Sequence, residues 1–433
     1  MSDLTNEIFR KQISGNERPI LAFLSANGYN KRDYMDSRSL IGDKQNTVKE
    51  RIGPDMIYRD FQGIKLSALG FGAMRLPVID GNDGRIDEAA ALRMVDTAMA
   101  AGINYYDTAW GYHGENSEII MGRALKNYPR EKFCIATKFP GYDPSNWGHV
   151  EEIFEKQLEK LQVGYFDFYL FHNVCEMNID AYLDDEKYGI YSYLMEQKRN
   201  GRIRHLGFSC HGSMDVLKRF LDAYGKDMEF CQLQLNYLDW TFQNGKGKVE
   251  LLDKWNIPVW VMEPLRGGKL ASLKPEHEAE LKALRPDEEI PAWAFRFLQS
   301  IPSVTMILSG MSNQEQLEKN LKTFETDRKL DDTEMKALLG IADQMLSVGT
   351  VPCTACHYCV SHCPQGLDIP HLISLYNEHA FTGGGFIAPM ALSALPEEKK
   401  PQACLQCRSC EQVCPQQIKI SEVLADFSEK LGN

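Results

Sequence analysis

Between residues 67 and 346 the chain alternates short apolar segments with longer amphipathic ones, and this alternation constrains the fold more than any other feature. The short segments lie at 68–74, 104–108, 133–138, 166–172, 205–209, 230–236, 258–263 and 305–309. They are rich in aromatic, β-branched and other apolar residues and too short for helices, so they read as strands. Between them, 87–101, 117–127, 150–162, 214–224 and 314–324 follow helical spacing, with Ser117 and Ser213 placed to cap two of them. Eight strands alternating with helices over about 280 residues match a (β/α)8 TIM barrel in count and size. A doubly wound open sheet is the rival. Against it, no G-x-G-x-x-G turn follows an early strand, and Gly70-Phe71-Gly72 suits a close-packed strand better.

The barrel is expected to occupy 56–348, after an irregular extension at 1–55 broken by Gly15, Gly28, Gly42 and Gly53-Pro54. A further helix at 331–346 leads to a junction, and 349–433 forms a separate module. With 43% apolar and 25% charged residues, global disorder is excluded. The net charge of −12 argues against a nucleic-acid partner. No apolar run approaches the ~20 residues that cross a bilayer. The polar start, MSDLTNEIFRK, does not read as a signal peptide, so a cytoplasmic protein is expected.

Eight of the 12 cysteines fall in the last module. Cys353, Cys356, Cys359 and Cys363 precede Pro364, and Cys404, Cys407, Cys410 and Cys414 precede Pro415, so C-x2-C-x2-C-x3-C-P occurs twice. Three thiolates at this spacing can wrap three corners of a four-iron cubane. Zinc usually pairs two C-x2-C units or mixes in histidine, and the third cysteine with a terminal Cys-Pro argues against it. The run resembles a helical two-cluster ferredoxin domain, since 368–379 between the motifs also reads as helix. That resemblance implies two 4Fe–4S clusters. One would take Cys353, Cys356, Cys359 and Cys414, and the other Cys404, Cys407, Cys410 and Cys363. Cys134, Cys175, Cys210 and Cys231 are scattered near the barrel strands, and all but Cys210 read as buried small hydrophobes.

Chemistry in such barrels sits at the C-terminal strand ends. Asp107 ends the second strand, Tyr112 follows in its loop, Lys138 ends the third and His172 the fourth. Each alone is weak evidence. Together, within Tyr106-Asp107-Thr108-Ala109-Trp110-Gly111-Tyr112, Ala136-Thr137-Lys138 and Tyr169-Leu170-Phe171-His172, they form a specific constellation. With Leu69-Gly70-Phe71-Gly72-Ala73-Met74 and residues 201–209, they make the chain, from about Met56 to Phe324, resemble the aldo/keto reductase family, in its iron–sulfur branch.

The resemblance implies reduction of an aldehyde or ketone. Tyr112 would supply the proton, Lys138 would lower the pKa of that phenol, Asp107 would hold Lys138 charged, and His172 would orient the carbonyl. It also implies a bound NADP or NAD. Ser209 and Gln232 fall where the family holds the carboxamide, Met262 where an aromatic ring commonly stacks on the nicotinamide, and Cys210 where asparagine is common. Arg266 and Gly267 would meet the pyrophosphate, with Arg266 offering its guanidinium. Gly310, Ser312, Gln316 and Asn320 would face the adenosine end. Residues 309–318 contain no Lys or Arg to grip a 2′-phosphate. His113, His211 and Glu263 flank the expected mouth and read as structural; Trp110, Trp147 and Trp240 read equally as pocket lining or packing.

Clusters pass single electrons and hydride carries two. Either a flavin occupies the mouth, or the clusters serve structure, sensing or docking. The rival function is therefore a ferredoxin-like electron carrier acting on a redox partner protein, with the barrel binding a nicotinamide or flavin without carbonyl turnover.

Overall fold

Each of the eight apolar segments forms a strand. The computed structural model describes residues 56–432 apart from 348 and 354, so the expected extension at 1–55 lies outside the described residues. A hairpin comes first, β1 (Tyr58–Phe61) and β2 (Ile64–Ser67), paired antiparallel. The barrel strands follow as β3 (Leu69–Gly72), β4 (Tyr105–Asp107), β5 (Cys134–Phe139), β6 (Phe166–Val174), β7 (Ile203–Cys210), β8 (Cys231–Gln234), β9 (Val259–Met262) and β10 (Val304–Gly310). They pair in parallel and in sequence order, and β10 closes the barrel on β3.

The hairpin has no counterpart in the expected elements. Its turn, Gln62-Gly63, has φ of 51° and 83°. Positive φ at both central positions matches the right-handed twist of paired strands. Phe61 and Leu66 pack with Phe168, Phe230 and Trp260, the Phe61 ring 4.9 Å from that of Trp260. The hairpin thus stoppers the N-terminal end of the barrel. Inside, small residues admit large ones: a Cβ on Gly207 would lie 2.5 Å from the Phe230 carbonyl oxygen.

The longer helices around the barrel are α1 (Glu88–Ala100), α2 (Ser117–Leu125), α3 (Val150–Leu161), α4 (Ile190–Arg199), α5 (Met214–Tyr224), α6 (Gly245–Lys254), α7 (Pro275–Leu284), α8 (Ile290–Gln299), α9 (Gln314–Thr323) and α10 (Asp332–Ser347). Ser213 caps α5 as expected, its Oγ accepting from Val216 N at 3.4 Å. Ser117 does not cap α2. It is the helix's first residue and fully buried, and its Oγ donates to Ala73 O at 2.9 Å, which ties the helix to the turn after β3.

The cysteine module adds α11 (Ile369–Thr382), α12 (Ile387–Ser393) and α13 (Ile420–Lys430) around its own core of Leu367, Ile373, Leu392, Leu424 and Phe427. Asp368 caps α11, accepting from His371 N. The module is mainly helical. It is fastened to the barrel by Arg266, which is 4% exposed. Arg266 Nε donates to Asp239 Oδ1 at 3.0 Å and an outer guanidinium nitrogen donates to Glu378 Oε2 at 2.6 Å. Glu378 belongs to α11 and also accepts from Gln243. The Phe242 and Phe381 rings, tilted against each other with centres 5.7 Å apart, both lie against the guanidinium.

Removing one partner of a buried ion group leaves the others uncompensated. Arg266→Ala is therefore expected to cost about 3–5 kcal/mol, read as a lower midpoint in thermal unfolding of the cluster-loaded protein. An unchanged midpoint would mean that this joint does not hold the module.

Candidate active site

With the N-terminal end stoppered, the C-terminal end of the barrel opens on a cavity of about 800 Å3, within the size range of small-molecule sites. Asp107, Tyr112, Lys138 and His172 all line it. Adjacent parallel strands β4 and β5 bring the first pair together. Lys138 Nζ donates to Asp107 Oδ1 at 2.6 Å and to Thr108 O at 2.8 Å, and both side chains are buried. The same nitrogen lies 5.1 Å from the centre of the Tyr112 ring. The His172 ring meets Tyr112 edge-on at 5.9 Å and Tyr142 at 5.2 Å.

A bulge sets His172. β6 and β7 pair through Phe171↔Phe208, then resume at Val174↔Cys210, so His172 and Asn173 oppose Ser209 alone. Two residues against one bend the strand and re-aim its side chains. Asn173 sits at φ 56° and donates its backbone N–H to Ser209 Oγ at 2.7 Å.

Burial dominates the electrostatics of this wall. It favours the neutral amine at Lys138, but Asp107 and Tyr112 outweigh it and hold the ammonium. Burial raises the Asp107 carboxyl above its ordinary range, with Lys138 opposing. It also raises the Tyr112 phenol, again against Lys138. The expected lowering of the phenol is therefore not what the site shows, because the ammonium offsets burial without overcoming it. Burial, Lys138 and His211 push His172 well down, so its imidazole is neutral.

The sequence matches the family model described as the aldo/keto reductase family over residues 68–343. The chain belongs to the aldo/keto reductase family, a family of oxidoreductases. A second model, the 4Fe-4S dicluster domain, matches 352–418. The probable aldo-keto reductase 1 of Glycine max is 32% identical over 215 residues, which are 48% of this chain and 58% of that protein. The NADH-specific methylglyoxal reductase of Escherichia coli is 26% identical over 227 residues, 48% of this chain and 66% of that one. The solved holo form of an aldo-keto reductase from Bacillus halodurans superposes with a TM-score of 0.54 at 26% identity, covering 66% of this chain and 96% of that one.

Within this aldo/keto reductase barrel, Ser209, Gln232, Met262, Arg266, Gly267, Gly310, Ser312, Gln316 and Asn320 also line the cavity. Several of their polar groups are already engaged. Asn320 Nδ2 donates to Ser309 Oγ at 3.0 Å, and Gln316 Oε1 accepts from Ser312 N at 2.8 Å. Arg266 departs from its expected role, because Asp239 and Glu378 hold its guanidinium. The cation beside that turn is Arg75: an ideal Cβ on Gly267 would lie 3.8 Å from its guanidinium. Arg75 was legible by the rule that found Asp107, since it closely follows the end of a barrel strand. Lys319 lines the cavity too, one residue past the cation-free stretch 309–318.

Among the described residues, Asp107 Oδ2, Asn173 Oδ1, His172 Nδ1, Gln232 Oε1 and Glu378 Oε1 are buried without a protein partner. All five residues line the cavity. Buried polar atoms are ordinarily hydrogen-bonded, so these atoms mark where a bound molecule would be gripped. Glu263 joins the wall, its carboxyl pushed up to about 7 by burial and by Asp239, against Arg266 and Arg75. His211 is in the cavity. His113 is structural, its Nε2 accepting from Leu76 N at 3.1 Å. Trp240 packs on Phe297, and Trp110 lies under Lys160.

In the module, Cys353, Cys356, Cys359 and Cys414 line one small cavity with Pro370 and Ile373. Burial, with Cys353, Cys356 and Cys414 beside it, pushes the Cys359 thiol up to about 11. Cys410 reaches about 11 through burial with Cys404 and Cys363 near it. Each group of neighbours thus crosses between the two motifs. The motifs also wind alike: Ala355 and His357 flank Cys356 at positive φ, and Gln406 and Arg408 flank Cys407 in the same way. Among the described residues no three His, Cys, Asp or Glu side chains converge on one ion. Thiols spread around a void suit a larger body. Cys175, Cys210 and Cys231 are buried and Cys134 half-buried in the barrel.

Proposed function

We propose that this protein is a nicotinamide-dependent reductase that interconverts a small aldehyde or ketone and its alcohol, and that its C-terminal module carries two 4Fe–4S clusters. The observation that carries the reading is the buried Lys138–Asp107 pair set against Tyr112 and His172 at the foot of an open cavity.

Bound NADH or NADPH would supply the hydride. The unpartnered Gln232 Oε1 and Asn173 Oδ1 fit the two N–H groups of a carboxamide, and Asn173 stands in for the asparagine missing at Cys210. Arg75 and the Gly267 turn fit a pyrophosphate. Tyr112 holds the proton at its Oη, because burial keeps the phenol protonated at neutral pH. Lys138 stabilises the phenolate left after the proton moves, and Asp107 keeps that ammonium charged. Neutral His172 donates a hydrogen bond to the carbonyl oxygen and sets its angle. The eight cysteines of the two motifs would hold the clusters, which supply one-electron capacity when present. Thiols kept for metal point to the reducing cytoplasm.

One observation favours the second reading, an electron carrier. The helix α11 lines both cavities, the cysteine one through Pro370 and Ile373 and the barrel one through Glu378 and Thr382. At about 1.5 Å per residue, Ile373 and Thr382 are ~14 Å apart.

Tyr112→Phe separates the two readings. It is expected to lower carbonyl reduction by about a hundredfold or more and to leave dye reduction by dithionite-reduced protein intact. The proton donor works below its pKa and fails above it. A phenol raised beyond its usual ~10 should therefore hold the reduction rate level from neutrality to about pH 9. A loss beginning near neutrality, or a variant as active as the native protein, would contradict the assignment. Anaerobic purification should yield about eight iron and eight sulfide per chain, whereas four of each would remove one cluster.

A further inference from the structure

The wall of the barrel cavity is not made by the barrel alone. Five residues of the cysteine module line it: Glu378, Thr382, Gly385, Phe386 and Ile387. The chain reaches that position by a tight fold-back at the end of α11. Gly383 and Gly384 take φ of 66° and 95°, which L side chains rarely adopt. Gly385 N then donates to Thr382 Oγ1 at 2.9 Å, and a Cβ at Gly385 would meet that oxygen at 2.8 Å. The fold-back delivers Phe386 to the rim, where it is 53% exposed.

Two contacts fix where on the rim it stands. The Phe386 ring meets His211 edge-on at 5.5 Å, just beyond the end of β7. Four residues on, Met390 Sδ accepts from Asn173 Nδ2 at 3.5 Å, and Asn173 directly follows His172. The loop therefore overhangs the ends of β6 and β7, the side on which the carbonyl-orienting His172 lies. Ile387 continues this wall, and Met74 and Tyr142 line the same cavity. An aromatic side chain left half in water over an open cavity gains by covering an apolar surface, and aromatic pairs gain further from their geometry.

We propose that Phe386 is a specificity-determining residue, and that the cysteine module supplies the wall recognising the carbonyl compound's substituent. The substrate class this selects is an aldehyde or ketone bearing an aryl or comparably bulky apolar group. The proposal rests on the carbonyl-reductase reading and adds to it a substrate preference and a structural use for the module that needs no electron transfer.

The test compares 4-nitrobenzaldehyde with methylglyoxal as substrates of the full-length, cluster-loaded protein, with benzamide as an unreactive ligand measured by calorimetry. Phe386→Ala is expected to lower kcat/KM for the aryl aldehyde about tenfold, through KM, and to change that for methylglyoxal by less than about twofold. Benzamide affinity should fall by a similar factor, and Phe386→Trp should restore both. Visible absorbance of the clusters serves to show that the variants remain loaded. Equal losses on both aldehydes, or no loss on either and unchanged benzamide binding, would overturn the proposal. If the native protein reduces neither aldehyde but benzamide binding still depends on Phe386, the wall stands and the reductase reading falls. If it reduces neither and benzamide binding is also indifferent, both fall.

Discussion

A lysine and an aspartate lie buried at the foot of the barrel's open end, and the site is arranged around keeping them together. Lys138 Nζ and Asp107 Oδ1 are 2.6 Å apart with both side chains out of water. Such a pair is stable only where geometry and additional hydrogen bonds compensate for lost hydration. Thr108 O provides one of those bonds. The parallel register of β4 on β5 provides the geometry, pairing Asp107 with Ala136 and leaving Lys138 two residues further on, on the same face. The Tyr112 ring lies 5.1 Å from that ammonium, which opposes the upward push of burial on its phenol. A neutral imidazole on the neighbouring strand completes the wall without adding charge.

The second constraint is the joint between barrel and module. Arg266 sits in the turn after β9, where a pyrophosphate contact was expected, and is instead claimed by Asp239 and Glu378. The turn proposed to meet the dinucleotide and the anchor of the cysteine module are therefore the same short stretch of chain. The helix that carries Glu378 begins beside the thiols of one motif and ends at the barrel cavity. Arg266 and Glu378, the charges that seat the module, also line that cavity.

Much of this was legible in the sequence because it depends on period and spacing. Eight strands at the right places and the convergence of Asp107, Tyr112, Lys138 and His172 follow from local pattern plus one topological rule, and the crossing of cysteine groups between motifs is what the resemblance to two-cluster ferredoxins implied. What was not legible depends on tertiary packing. The hairpin at 58–67 is too short to announce itself beside the longer barrel pattern, although its Gln62-Gly63 turn was a usable signal. Ser117 looks like a cap and serves as a buried tie. The sign of the Tyr112 shift depends on how far burial outweighs one ammonium, which no spacing reveals. The module residues of the cavity wall lie more than two hundred residues from His172, and nothing in either segment names the other.

The central claim is that this cavity moves a hydride from a nicotinamide to a carbonyl while Tyr112 moves the proton. It is tested most directly by isotope. Anaerobic protein is given 4-nitrobenzaldehyde with NADH or NADPH deuterated at one face of C4, and the alcohol is analysed by mass spectrometry and NMR. One deuterium on the carbinol carbon, from one face only, is the predicted result. Alcohol formed without label from either face, with electrons drawn instead from reduced clusters, would contradict it.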